Sequence, residues 1–172
     1  MSEFAIDSNV LIVASDEYRP NARRHPEASW ACVRRAIDRL EQIKATGRVL
    51  LDTSRLVVSE YENQCSYSGQ PGAGDAFLKW LSDHEWFEEH CHRVDIHVNS
   101  ERDFDEFPND PDLAKFDRSD RKFAALAIAA RPSHAAVLNA VDSDWWEFRD
   151  PLARNGIEIE FVCPDYFAPK ST

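Results

Sequence analysis

The order of apolar runs and amphipathic stretches predicts an α/β fold, a three-layer α/β/α sandwich around a mostly parallel central sheet. Three observations predict it. Short apolar runs without polar alternation recur along the chain, as in strands covered on both faces. Between them lie stretches whose apolar residues fall three and four apart, the spacing of amphipathic helices. The two kinds of segment alternate almost from end to end, which implies crossover connections and helices on both sides of the sheet. With 172 residues, 43% of them hydrophobic, and only 5 Gly and 9 Pro, the chain fits one compact domain over residues 1–172 and is not a disordered or fibrous sequence.

Phe4-Ala5-Ile6 is the first strand, ending at Asp7, and Val10 to Val13 continues the apolar character as strand or helix start. Trp30, Val33, Ile37, Leu40 and Ile43 mark a helix that Gly47 can end in a left-handed cap. Arg48 to Leu51 is the second strand. Thr53 or Ser54 can cap the helix after it, which carries Leu56, Val57, Glu60 and Tyr61. Ser66 to Gly74 is a loop, and Phe77, Leu78, Leu81, Trp86 and Phe87 mark another helix. Val94 to Val98 alternates as a third strand. Asn99 to Phe116, acidic and holding Pro108 and Pro111, is too long for an ordinary tight connection and reads as a functional or mobile loop. Ser119 can cap a helix through Phe123, Leu126, Ala127 and Ile128 that stops at Arg131-Pro132. Ala135 to Val141 is the fourth strand, Trp145 to Asn155 a helix disturbed by Pro151 and stopped by Gly156, and Ile157 to Val162 the last strand.

Composition removes several function classes. No run approaches the roughly 20 consecutive apolar residues of a membrane-spanning helix, so no membrane role is expected. Met1-Ser2-Glu3 leads directly into a strand, with no basic leader or small-residue cleavage site, and the reading is cytoplasmic. Cys32, Cys65, Cys91 and Cys163 form no C-x-x-C pair and are expected as buried, reduced thiols. A net charge of −11 opposes passive nucleic-acid binding. The charge is uneven, however: Tyr18 to Arg48 carries 8 basic against 3 acidic residues, and Ser82 to Asp120 carries 4 against 13. An acidic protein can still engage a polyanion through intervening metal ions.

Ligands of an open α/β sheet gather at the carboxyl ends of its strands. Asp7 ends the first strand and Asp142 the fourth, with Asp144 two residues on; Asp117 and Asp120 open the helix between strands three and four; Glu60 follows strand two. If strands one and four are neighbours, these groups converge. Two unit charges at about 4 Å repel by about 4 kcal/mol at an effective dielectric of 20, so such a cluster calls for cations. Oxygen ligands without Cys or His favour Mg2+ or Mn2+ over zinc. Such ions bind phosphate oxygens and acidify water, which is the chemistry of phosphodiester hydrolysis.

Asp7-Ser8-Asn9-Val10-Leu11-Ile12, then Val57-Val58-Ser59-Glu60, then Asp120 with Ala127 seven residues later, then Val141-Asp142-Ser143-Asp144-Trp145 together resemble the acidic motifs of PIN-domain nucleases. The resemblance runs from Phe4 to Val162. It implies a PIN-like fold and Mg2+- or Mn2+-dependent cleavage, usually of RNA, with structured DNA the other polymer. It also places Asp7, Glu60, Asp120 and Asp142 as the metal-binding and catalytic core, with Asp144 accessory and Asn9 as a polar orienter near Asp7. From the residues themselves, Asp144 reads as a further metal ligand or a helix N-cap, and Asp117 as a helix cap or an accessory group behind Asp120. Many relatives are toxins held inactive by an antitoxin-like protein partner, and many form homodimers. The chain departs from the pattern at Ala140, where a hydroxyl residue is often found, and in extra residues around Tyr18 to Ala28 and Asn99 to Phe116.

Arg23, Arg24, Arg34 and Arg35 are the expected phosphate contacts. Trp145-Trp146 reads as core packing in preference to a base-stacking platform, and His90-Cys91-His92 as a solvent-facing helix end, since neighbouring residues point apart. Two other functions compete. One is a catalytically silent interaction module docking a partner on the acidic 82–120 segment. The other is a phosphatase with Asp7 as nucleophile, a chemistry that usually wants an acid where Asn9 stands.

Overall fold

A computed structural model describes residues 1–18 and 21–168; Arg19, one of the basic residues counted above, lies outside them. Five parallel strands form the central sheet in the order β3-β2-β1-β6-β7, flanked by helices as an α/β/α sandwich. The strands are β1 (Glu3–Ile6), β2 (Arg48–Asp52), β3 (Cys91–Val94), β6 (Ala135–Asn139) and β7 (Glu158–Phe161), with β4 (Val98–Asn99) and β5 (Asp103–Phe104) forming a separate antiparallel hairpin. β1 is central. It pairs with β2 through Phe4 opposite Val49 and with β6 through Ile6 opposite Leu138, so the first and fourth predicted strands are neighbours.

The run after Asp7 is a helix, α1 (Ser8–Ser15), and all eight of its residues are buried. A helix buried on every side must be enclosed, and α1 packs against α2 (Trp30–Thr46), α3 (Leu56–Gln64) and α4 (Ala73–His84). At the α1–α4 crossing Gly74 lets backbones touch: a Cβ there would lie 2.3 Å from the Leu11 carbonyl oxygen. On the sheet itself, α5 (Arg121–Ala129) lies across β1, β2 and β6.

Several local expectations are corrected. Gly47 ends α2 in extended backbone, φ −108°, with its N–H on the Ile43 carbonyl, so no left-handed cap forms. Trp30 is 53% exposed, off the apolar stripe, with the Arg23 guanidinium 4.2 Å over its ring. Neither Thr53 nor Ser54 caps α3; the buried Asp52 carboxylate accepts from Leu56 N at 2.8 Å and Val57 N at 2.9 Å. Helix α4 stops at His84, which leaves Trp86 and Phe87 exposed beyond it. The third strand is Cys91–Val94, earlier than expected, and Val98 belongs to the hairpin. Its alternating sequence suits either edge, and register against Val49 to Asp52 decides.

The acidic 99–116 stretch is built, with Phe104, Phe107, Leu113 and Phe116 buried. Arg121, buried at the start of α5, holds it by donating to the Ala114 carbonyl at 2.9 Å and the Phe116 carbonyl at 3.0 Å. The disturbed helix is two, α6 (Ser143–Glu147) and α7 (Arg149–Arg154), and Gly156 stops the second at φ 76°. A short α8 (Pro164–Phe167) follows β7. Finally, Cys32 and Cys163 are joined in a disulfide, correcting the expectation of thiols; both are buried, and α2 and α8 bring their Cα atoms to 5.3 Å. Among the described residues no helix is long and apolar enough to cross a membrane.

Candidate metal centre

Three loops at the carboxyl end of the sheet converge. Asp7 leaves β1, Asp142 follows β6, and Asp120 precedes α5, the helix lying over both strands. One carboxylate oxygen from each of Asp7, Asp120 and Asp142 lies within 4.8 Å of the others, the one such group of possible metal ligands among the described residues. They border a cleft of about 520 Å3 that also touches Ser8, Glu60 and Ser119.

Each carboxylate is held differently. Asp7, 3% exposed, accepts from the Asn9 backbone N–H at 3.0 Å and from the indole Nε1–H of fully buried Trp145 at 2.6 Å. Asp142 caps α6 by accepting from Asp144 N at 2.9 Å. Asp120 makes no cap bond, and among the described residues no N–H or O–H donor reaches its buried Oδ2; its carboxyl lies close enough to Asp142 to share a proton with it. An ionised oxygen left that way is costly, and a cation is the partner its chemistry fits. Burial pushes the Asp120 carboxyl up to about 9, with the Asp7 and Asp142 charges adding to the effect. Burial likewise raises Asp7 to about 7, reinforced by Asp142 and Glu60. A bound divalent ion would reverse both trends by favouring the ionised forms.

Asn9 sets the spacing of the strand ends. Its side-chain N–H donates to Asn139 at 2.8 Å, and its carbonyl oxygen accepts from Ala140 N at 2.8 Å and Val141 N at 3.2 Å. Asn139, itself fully buried, donates to the Asp142 carbonyl at 3.1 Å. The amide pair thus bridges the Asp7 loop to the Asp142 loop.

The remaining acids sit around this trio. Glu60 borders the cleft, with Oε1 accepting from Ser8 Oγ at 2.6 Å and Oε2 in an ion pair with Lys122. Asp117 accepts from Ser119 N at 2.8 Å, a turn-forming role, and Asp144 accepts from Asp117 N at 3.1 Å. Of the arginines, Arg23 is spent on the Ala28 carbonyl at 2.5 Å, and Arg35 reaches Asp165 at 3.3 Å. Arg24 is bonded to Gln64 at the cleft edge, and Arg34 is exposed, 3.9 Å from Glu17. None of the four touches the carboxylates.

Asn139, Ser8, Lys122 and the Asp7-binding role of Trp145 were not legible in the sequence. Each acts through a partner distant along the chain, and a lone Asn or Lys carries no spacing signal. Trp145 is core, as expected, and a tether besides. The His90-Cys91-His92 group is not a helix end: Cys91 is buried at the start of β3, His90 stacks edge-on to His84 and Trp80, and His92 reaches Glu3 at 2.9 Å.

Fold and site together define an α/β/α protein with an oxygen-only carboxylate trio, two of its members buried and Asp142 half-buried, at the carboxyl end of its sheet. No protein-family model, curated protein or solved structure matches this chain.

Proposed function

We propose that the chain is a metal-dependent nuclease that hydrolyses phosphodiester bonds, with RNA as its substrate, and that Asp7, Asp120 and Asp142 hold the Mg2+ or Mn2+ ion. The observation that carries this reading is the buried Asp120 oxygen that no N–H or O–H donor reaches, beside two further buried or half-buried carboxylates. When bound, the ion supplies positive charge to the phosphate and lowers the pKa of water. The chain's own residues do the rest. Trp145 and the Asn9 N–H fix the Asp7 carboxylate, so little ordering remains to be done when ligands arrive. The Asn9–Asn139 bridge fixes Asp142 relative to Asp7. Of the four arginines, Arg24, at the cleft edge through Gln64, is the one placed to meet phosphates beyond the reacting one. RNA as the polymer, an antitoxin-like partner and a homodimer rest on the resemblance, and a cytoplasmic setting rests on composition alone.

The interaction-module reading draws less support. Its acidic surface is largely spent internally: Asp103 on Arg118 at 2.6 Å, Asp110 on Arg154 at 2.7 Å, and Glu106 on His97 at 2.6 Å.

Cleavage of a mixed-sequence RNA in Mn2+ or Mg2+ tests the proposal. Asp7→Asn and Asp142→Asn are each expected to lose about 100-fold or more, beyond what loss of an outer supporting group costs. Equal cleavage by both variants and the parent protein would overturn the mechanism.

A further inference from the structure

From the pairing at Glu60 we infer that Lys122 takes the place of a second divalent cation, so that the centre binds one metal ion and Glu60 is not a ligand. The inference rests on the metal-site reading above and deepens it. Two-metal hydrolytic sites hold their ions about 3.5–4 Å apart and share bridging carboxylates between them. Here the acid that would complete a second site is already satisfied at both oxygens: Ser8 Oγ donates to Oε1 at 2.6 Å, and the Lys122 ammonium pairs with Oε2.

The arrangement is built from three elements, Ser8 on α1, Glu60 on α3 and Lys122 on α5, and α3 packs directly on α5. It is also sheltered: the side chains of Lys122 and Glu60 are 14% and 21% exposed. The Lys122 ammonium donates as well to the Ser119 carbonyl, one residue before the ligand Asp120, which anchors the cation beside the cleft. Two of its three donors are thereby used, and one remains. Lys122 stands where the carboxylate cleft meets a second cleft of about 430 Å3, since Glu60 and Ser119 border both and Lys122 and Arg118 border only the second. A fixed ammonium there would supply positive charge to a phosphate group lying between the two clefts. It needs no second ion. The trio, in contrast, is paired with no lysine or arginine among the described residues, and no donor reaches the buried Asp120 Oδ2.

Titrating the full chain with Mn2+, with free ion counted by its magnetic-resonance signal, tests the inference. The parent protein should bind one ion per chain, Lys122→Arg one, and Lys122→Met two, because the freed Glu60 and Ser8 then accept the second. In Glu60→Gln the affinity should stay within about tenfold of the parent, whereas Asp120→Asn should lose about 100-fold or more. Two ions in the parent would overturn the Lys122 inference and leave the metal site standing. One ion in a folded Lys122→Met, or a Glu60→Gln loss as large as that of Asp120→Asn, would do the same. No ion in the parent at millimolar Mn2+ would overturn the metal-site reading itself. Should Lys122→Met fail to melt cooperatively, the parent count and the Glu60→Gln affinity still decide.

Discussion

Asp7 and Asp120 show how burial before a cation arrives becomes a stability effect. Free carboxyls titrate near 4, whereas burial pushes these two up to about 7 and about 9. Between those limits the native state keeps protons that the unfolded chain has released. Stability contributed by the neutral forms is therefore present below pH 4 and lost as pH rises, through about 7 for Asp7 and about 9 for Asp120. The metal-free protein should show a melting temperature that falls from pH 5 to pH 9. Millimolar Mn2+ should restore it at the alkaline end, since a ligand of the native state alone stabilises by mass action. Asp120→Asn should flatten the pH slope and abolish the Mn2+ effect. Calorimetric scans at fixed ionic strength would read both, and a flat profile in the parent would show that these carboxyls titrate normally.

At the scale of elements, the close crossing of α1 and α4 governs how the Asp7 loop is carried. Gly74 leaves room for the Leu11 carbonyl, and its N–H donates to Ser15 Oγ at 3.0 Å. Gly74→Ala forces the helices apart, at a cost of about 1–3 kcal/mol for overpacking, readable in urea denaturation. Unchanged stability would mean that the crossing yields easily. The same elements show what the sequence could reveal. Strands β1, β2 and β6 were readable because strands covered on both faces are plain apolar runs, and the acids follow them directly. The β4–β5 hairpin was hidden, because two-residue strands leave no period and the acidic residues around them mask the buried Phe104 and Phe107. The α3 cap was missed because Asp52, four residues before the first capped N–H, serves in place of the nearer hydroxyls. Asp7, Asp120 and Asp142 could be found from their places in the element order. The Lys122–Glu60 pair could not, since it forms only when α5 lies against α3.

The whole molecule is organised with opposite ends of the sheet doing different work. At the carboxyl end Asp7, Asp120 and Asp142 gather with no lysine or arginine among the described residues paired to them, while at the amino end the buried Glu3 is saturated by Arg48, His92 and Ser133. Such a satisfied network supports the fold, and the unpaired carboxylates at the other end are what the proposed metal site rests on. The Cys32–Cys163 disulfide, with 131 residues of separation, adds stability by restricting the unfolded chain. Closing a loop this long contributes roughly 3–5 kcal/mol in the chain-entropy view. Excess reductant, or Cys163→Ser, should lower the melting temperature by about 10 °C, taking a few degrees per kcal/mol for a chain of this size. An identical melt with and without reductant would show that the pair stays reduced in solution.

That bond also sets what a single backbone cut can do. Every strand except β1 lies between its two half-cystines, so a protease nicking the 99–116 segment would leave both fragments on one covalent tether, released from each other only when a thiol is added.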